Sequence, residues 1–296
     1  MMNRRRFMAI TAAVLAGPAR ATETVWTGTG FGASLGVRLV GATTAQSAHA
    51  LRRVKAELSR LDAIFSLHRD SALTRLNRDG RLAHPQDDLL QVLRLSADVH
   101  RATGGAFDPT VQPLYLARAS GCDVAAASAA IGFGRVQVSA SEIRLDREQA
   151  LTLNGIAQGW AADRIATILR GEGFDRALID TGEIATLGGH PDGRAWIAAI
   201  TDPEGRRVDI AALTDRALST SSPMGTMIGA GHPHILGPQG ETARWTTVSV
   251  SAPQAALADA LSTALCLLDR EGIDRSLAHF PDARLEVACR NSVLNG

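Results

Sequence analysis

From Ala45 to Phe65 the apolar residues Leu51, Val54, Leu58, Leu61 and Phe65 recur at three- and four-residue steps, the spacing of one helical face. Such a segment is a rod roughly 30 Å long, and its apolar side has to be buried against other elements. A second helix is expected from about Pro85 to Thr103, with Pro85 at an early helical position, Asp87 and Asp88 in the positive first turn, and Gly104-Gly105 as the stop. Its apolar stripe is Leu89, Leu93 and Ala97. Further helices are expected near Ala161 to Leu169 and Ala255 to Leu268. The stretches Val37 to Val40, Trp196 to Ile200 and Thr246 to Val250 read as strands. Helices and strands alternate along the chain with no repeat, low-complexity tract or long linker, so one continuous α+β domain is the simplest architecture.

The 296 residues are 45% hydrophobic, enough to bury a large core. Three cysteines, Cys122, Cys266 and Cys289, stand far apart with no C-x-x-C, so zinc ribbons and iron-sulfur centres are excluded and at most one disulfide could form. Lys55 is the sole lysine, which removes the P-loop ATPases and the lysine Schiff-base enzymes. The formal charge of +1 includes four arginines and no acid within the first 21 residues. The rest of the chain is slightly acidic, and nucleic acid is not an expected partner.

The N-terminus has a layout of its own. Asn3-Arg4-Arg5-Arg6-Phe7-Met8 precedes a small apolar run from Ala9 to Gly17, and Ala19-Arg20-Ala21 supplies an A-x-A cleavage pattern. That order reads as a signal peptide over residues 1-21, of the twin-arginine type, with the mature domain covering 22-296. The apolar run is far short of the roughly 20 residues that span a bilayer. Periplasmic localisation follows as an expectation, without stable membrane insertion of the mature chain; no cysteine follows the run to carry a lipid.

Individually, the segments that could carry chemistry are ambiguous. Gly28-Thr29-Gly30-Phe31-Gly32 has glycines for a phosphate loop but runs into a strand, so a Rossmann fold is disfavoured. His232 and His234 lack a third ligand at regular spacing, which argues against zinc. Gly104 to Pro109 by itself reads as a turn. Along Ala255 to Leu268, Leu257, Leu261, Ala264 and Leu268 share one face, while Asp259 and Thr263 lie on the opposite side. Those two oxygens are either a solvated polar stripe or two ligands of a hard cation such as Mg²⁺. Spacing alone leaves both open.

Order decides more than any one segment. Phe31-Gly32-Ala33 leads into Val37-Arg38-Leu39; Leu61 to Ser66 is followed by Ser71 to Asn77; then come Thr103-Gly104-Gly105-Ala106-Phe107-Asp108-Pro109-Thr110-Val111 and Leu153 to Asp163. Thr181-Gly182-Glu183-Ile184, Ser219 to Ser222, His234 to Pro238 and Asp259 to Ala264 complete the series. Taken together, this series resembles the ApbE family of FAD:protein FMN transferases over nearly the whole mature chain. The resemblance implies a single α+β domain with mixed or antiparallel sheets and packed helices. It implies FAD as substrate, an acceptor flavoprotein, membrane-bound or periplasmic, as partner, Mg²⁺ as cofactor, and transfer of FMN to an acceptor threonine with release of AMP. Mg²⁺ would sit on Asp259 and Thr263 with the carbonyl of Gly155. FAD would be contacted by Phe31, His68, Ala106, Phe107, Asp108, Thr152, Gln158 and His234. Catalytic roles fall to His234, as base for the acceptor hydroxyl, and to Asp259.

This sequence departs from the family pattern at several of these positions. Gln158 replaces the common lysine, His68 stands near the usual flavin-stacking tyrosine, Thr152 replaces a frequent acid, and Glu183 follows Gly182 where aspartate is usual. Gln158 donates hydrogen bonds but no charge. The twin-arginine start and the Gly-Glu-Ile form resemble the NosX subgroup, associated with nitrous oxide respiration. The alternative reading is a periplasmic maturation factor that binds FAD without transferring FMN. A solute-binding protein is argued against by the lack of two similar α/β lobes.

Overall fold

A computed structural model describes residues 23–30 and 33–290. The expected signal peptide, and Phe31 with Gly32, lie outside the described residues. The chain opens with a hairpin of β1 (Glu23–Gly30) and β2 (Ala33–Val40), followed by α1 (Thr44–Phe65), α2 (Ala72–Asp79), the short β3 (Arg81–Ala83) and α3 (Asp87–Ala102). Next come α4 (Gln112–Ser120), α5 (Val124–Ala129), β4 (Gln137–Val138), β5 (Glu142–Arg144) and α6 (Ala157–Gly171). The strands β6 (Ala177–Asp180), β7 (Ile184–Leu187), β8 (Trp196–Thr201), β9 (Arg207–Leu213) and β10 (Ala217–Ser221) lead to the short β11 (Met227–Ile228) and β12 (His232–Pro233). The described chain closes with β13 (Thr247–Ala252), α7 (Ala255–Leu265), α8 (Arg270–Leu277) and β14 (Arg284–Cys289).

Seven strands form one sheet in the order β1-β2-β6-β7-β10-β13-β14, and every neighbouring pair is antiparallel. The period of two along each strand separates its faces. On β6, Ala177 and Ile179 join the main core with α1, α3, α6 and α7, while Leu178 points the other way into a second cluster. That second face is covered by the β8–β9 hairpin, which buries Trp196, Ala198, Ile200 and Leu213 against Leu178, Ile184 and Leu218. The molecule is therefore helices on one side of a sheet and a two-stranded ribbon on the other, the expected α+β class.

Several boundaries differ from expectation. α1 agrees closely, and Thr43 caps it by accepting from the Gln46 amide. α3 begins at Asp87, with Gln86 at the cap position and Pro85 outside the helix, because His84 turns the backbone at a φ of 48° just before it. α6 starts at Ala157, four residues earlier than expected, and runs through Gly159. A glycine in a helix interior costs about 1 kcal/mol in propensity, which hides the segment from pattern reading. Space explains it: a Cβ at Gly159 would lie 2.4 Å from the Ala255 carbonyl oxygen, where α6 meets α7. α7 ends at Leu265, so Leu268 lies beyond the helix and only partly buried. Its polar side is not a solvated stripe either, since Asp259 is 3% exposed and Ser262 fully buried. The helix lies inside the molecule, with alanines rather than a one-sided leucine stripe making room for its neighbours.

Candidate functional site

α6 and α7 hold each other by their first turns. An isolated helix start leaves its first amides without partners, and neither helix supplies a capping side chain of its own. Asp259 on α7 accepts from the Gly159 amide of α6 at 3.1 Å. In return Asp163 on α6 accepts from the Ala255 and Ala256 amides of α7 at 2.8 and 3.0 Å. This exchange places Asp259 at the start of α6, beside the loop that carries Gly155.

Gly155 packs directly on Thr263. A Cβ built on it would lie 3.0 Å from Thr263 Oγ1 and 3.4 Å from the ring of Phe107. The absence of a side chain thus lets the loop backbone approach the hydroxyl, and three separate motifs converge there. Thr263 also faces Ser221 Oγ of β10 at 3.4 Å. Asp259, one helical turn before Thr263, shares its side of α7.

The electrostatics of this place are dominated by acids. Burial, with the charge of Asp163 adding to it, pushes Asp259 up to about 7 against the opposing pull of the Gly159 amide. Burial also pushes Asp163 up to about 6. Glu183 is held well above the usual carboxylate range by burial and then by the charge of Asp259, and its Oε2 has no hydrogen-bond partner. Buried acids that depress one another's ionisation are what a bound cation would relieve. The Asp259 carboxylate and the Thr263 hydroxyl, on one side of α7, are hard oxygen donors of the kind that suit Mg²⁺.

The turn 103–111 folds from its own side chains. Thr103 Oγ1 accepts from the Phe107 amide, and the Asp108 carboxylate accepts from the Thr110 amide at 2.8 Å and the Phe133 amide at 3.1 Å. Asp108 is thereby fixed and 7% exposed, at the wall of a cavity of about 470 Å³ also lined by His100, Gly104, Gly105, Gly132 and Phe133. Ala106 and Phe107 are buried beside it. Thr152 is tied in by its amide, which donates to the Pro109 carbonyl at 2.8 Å. The Gln158 side chain lies over Gly182: a Cβ there would come within 2.9 Å of Gln158 Nε2, and the backbone has a φ of +95°.

His234 Nδ1 sits 3.0 Å from the Pro223 carbonyl and 3.1 Å from that of Thr226. Both are acceptors only, so Nδ1 carries the hydrogen and the Nε2 lone pair is left free. Burial also lowers the His234 pKa from its usual value, against the two carbonyls, which favours the neutral ring. His68 is exposed on the loop after α1, its amide bonded to Ser66 Oγ. Among the described residues no group of three His, Cys, Asp or Glu side chains forms a metal cluster, and His232 sits in the small β11–β12 pairing.

Sequence reading did not single out Asp163 as the cap of α7, because its partners lie 92 and 93 residues away. Nor did it assign roles to Ser221 and Ser262, although both stand inside quoted motifs. The period-two spacing of Ser221 from Ala217 and Ser219 along β10 was the available signal for Ser221.

Comparison with known proteins identifies the family. The family model described as "ApbE family" matches residues 31–286. A protein of Klebsiella pneumoniae named FAD:protein FMN transferase is 29% identical over 279 residues, covering 84% of this chain and 80% of its own. One of the same name from Escherichia coli K12 is 27% identical, with 85% and 80% covered. Among solved structures, the apo form of the Pseudomonas stutzeri flavinyl transferase ApbE superposes with a TM-score of 0.75 at 26% identity, covering 88% of this chain and 87% of that one. The Vibrio cholerae flavin transferase ApbE gives 0.77 at 24% identity, with 87% and 91% covered, a likeness of fold. With the family model spanning nearly all of the described domain, the chain belongs to the ApbE family.

Proposed function

We propose that the chain is a FAD:protein FMN transferase that splits the FAD pyrophosphate and joins the FMN phosphoryl group to a threonine hydroxyl of an acceptor flavoprotein. The observation that carries this reading is the convergence of Gly155, Phe107 and Thr263 on one spot, with Asp259 buried one turn away. Asp259, Thr263 and the Gly155 carbonyl would hold Mg²⁺, which neutralises charge on pyrophosphate oxygens and stabilises the leaving phosphate.

The chain's own groups do the rest. His234 Nε2, left free by the two carbonyls on Nδ1, takes the proton of the acceptor hydroxyl. The acceptor oxygen then bonds to the FMN phosphorus, and the bond from that phosphorus to the bridging oxygen breaks. AMP leaves with that oxygen, and the proton stays on His234. Gly104, Gly105 and Asp108 line a cavity that would bind part of FAD. Gln158, supported against Gly182, would donate a neutral hydrogen bond to it. The proposal includes export to the periplasm, on the arginine-led start and A-x-A site within residues 1–21, and service in nitrous oxide respiration, on the Gly182-Glu183-Ile184 form.

Mixing the purified mature protein with FAD, Mg²⁺ and an acceptor domain tests the reaction. AMP should appear in step with an FMN adduct on an acceptor threonine by mass spectrometry. Bound but intact FAD with an unmodified acceptor would instead make the protein a flavin-holding maturation factor.

A further inference from the structure

Hydroxyl groups run in an unbroken series beside the proposed cation ligands. Ser221 Oγ is 2.8 Å from Ser262 Oγ and 3.4 Å from Thr263 Oγ1, and Ser219 Oγ is 2.9 Å from Ser262 Oγ. Ser262 Oγ also lies 3.0 Å from the backbone carbonyl of Asp259. β10 brings Ser219 and Ser221 to the helix-facing side of the sheet because they are two residues apart. α7 brings Ser262 and Thr263 from the other side.

Each hydroxyl has one hydrogen and two lone pairs, so the direction of the series can be counted out. The Asp259 carbonyl can only accept, and it takes the hydrogen of Ser262. With its hydrogen on that carbonyl, Ser262 accepts from Ser221; Ser219 Oγ, 2.9 Å away, is also bonded to the Glu183 carboxyl. With its hydrogen given to Ser262, Ser221 has only lone pairs to offer Thr263. Thr263 is therefore the donor in that contact, and neither of its lone pairs is consumed by the relay. In the opposite direction Ser221 would place a hydrogen on the Thr263 oxygen, where a cation at about 2 Å leaves no room for one.

We propose that Ser221 and Ser262 are positioning residues that turn the Thr263 hydroxyl hydrogen toward β10, so that the oxygen presents its lone pairs to the cation. The relay starts at the backbone carbonyl of Asp259 and ends at the Thr263 hydroxyl, so it orients Thr263, while the Asp259 carboxylate is held separately by the Gly159 amide. This rests on the cation site of the proposed function.

The test is calorimetric titration of Mg²⁺ into the FAD-free protein, with the Mg²⁺ dependence of AMP release as a second reading. Ser221→Ala and Ser262→Ala should each raise the Mg²⁺ Kd roughly 3- to 10-fold, the worth of one hydrogen bond. KM for FAD at saturating Mg²⁺ should stay as in the wild type. Ser249→Ala is the control, since Ser249 pairs with Thr220 at 2.9 Å on the other side of β10; it should leave Mg²⁺ binding unchanged. In a Thr263→Val background neither serine substitution should weaken Mg²⁺ further, because the relay acts only through that hydroxyl. Fully additive losses, or wild-type Mg²⁺ affinity in both serine variants while Thr263→Val is weakened, would overturn the relay. If Thr263→Val and Asp259→Asn both bind Mg²⁺ like the wild type, the cation site itself fails and takes the relay with it.

Discussion

At the scale of single residues, Asp259 is the most exposed to test because it has two duties, accepting from the Gly159 amide and facing the proposed cation. Asp259→Asn keeps a carbonyl for that amide and nearly the same shape. It also removes a buried charge that is costly without a counterion, burial having pushed the group up to about 7. The variant should keep or raise its melting temperature in Mg²⁺-free buffer while its turnover falls about 100-fold, roughly 2.7 kcal/mol of transition-state stabilisation. AMP release against Mg²⁺ concentration checks this, and a metal dependence like the wild type's would count against the ligand role. His234 makes a prediction in pH. Its pKa is lowered from 6.5 by burial, so the ring loses its proton, and gains the Nε2 lone pair, below that value as pH rises. The acidic limb of AMP release should therefore have its midpoint below 6.5 and level off by about pH 7. His234→Ala should remove that limb and slow turnover by about 10² to 10⁴. Because Asp259 lies near 7 without a cation, the limb is read at saturating Mg²⁺, which would hold Asp259 ionised; a limb still centred above 6.5 there would count against His234 as the base.

Between elements, the exchange of caps explains why the site is where it is. α7 cannot hold Asp259 and Thr263 in place without an N-terminal anchor, and α6 provides it through Asp163. Asp163→Ala leaves two first-turn amides uncapped and should cost about 1–2 kcal/mol relative to Asp163→Asn, read from urea midpoints. Asp163 also contributes to pH dependence. Burial raises its folded pKa from the ordinary 3.8 to about 6, so the folded state binds the proton more tightly. The corresponding stability is present below pH 3.8 and lost as pH rises through about 6. Asp163→Asn should flatten the fall in stability between pH 4 and 6, leaving the part due to Asp259 that extends toward pH 7. An unchanged slope would mean that Asp163 is ionised throughout.

For the whole molecule, the antiparallel sheet separates two tasks. One face, with the helices, carries the candidate site, and the other is closed by the β8–β9 hairpin around Trp196. The proposed export concerns the full chain. Replacing Arg4 and Arg5 by lysine should strand the precursor in the cytoplasm if the signal is of the twin-arginine kind, as cell fractionation would read. Undiminished periplasmic accumulation would assign it to the general secretory route.

Local pattern by itself determined α1, whose apolar spacing needs no partner to be recognised, the stop of α3 at Gly104-Gly105, and the strands Val37 to Val40 and Trp196 to Ile200. The ordered motifs pointed to the family and to Asp259 and Thr263 as a pair, since helical geometry puts i and i+4 on one side. Only the tertiary structure decided that this side is buried, because burial depends on what packs around a helix, and α6 approaches α7 through a glycine that propensity counts as a breaker. Only it could show Gly155 against Thr263, Asp163 capping α7, and Ser221 within reach of Ser262. Each of these contacts joins residues more than 40 positions apart, and no local preference encodes a partner that the chain meets only after the sheet has formed.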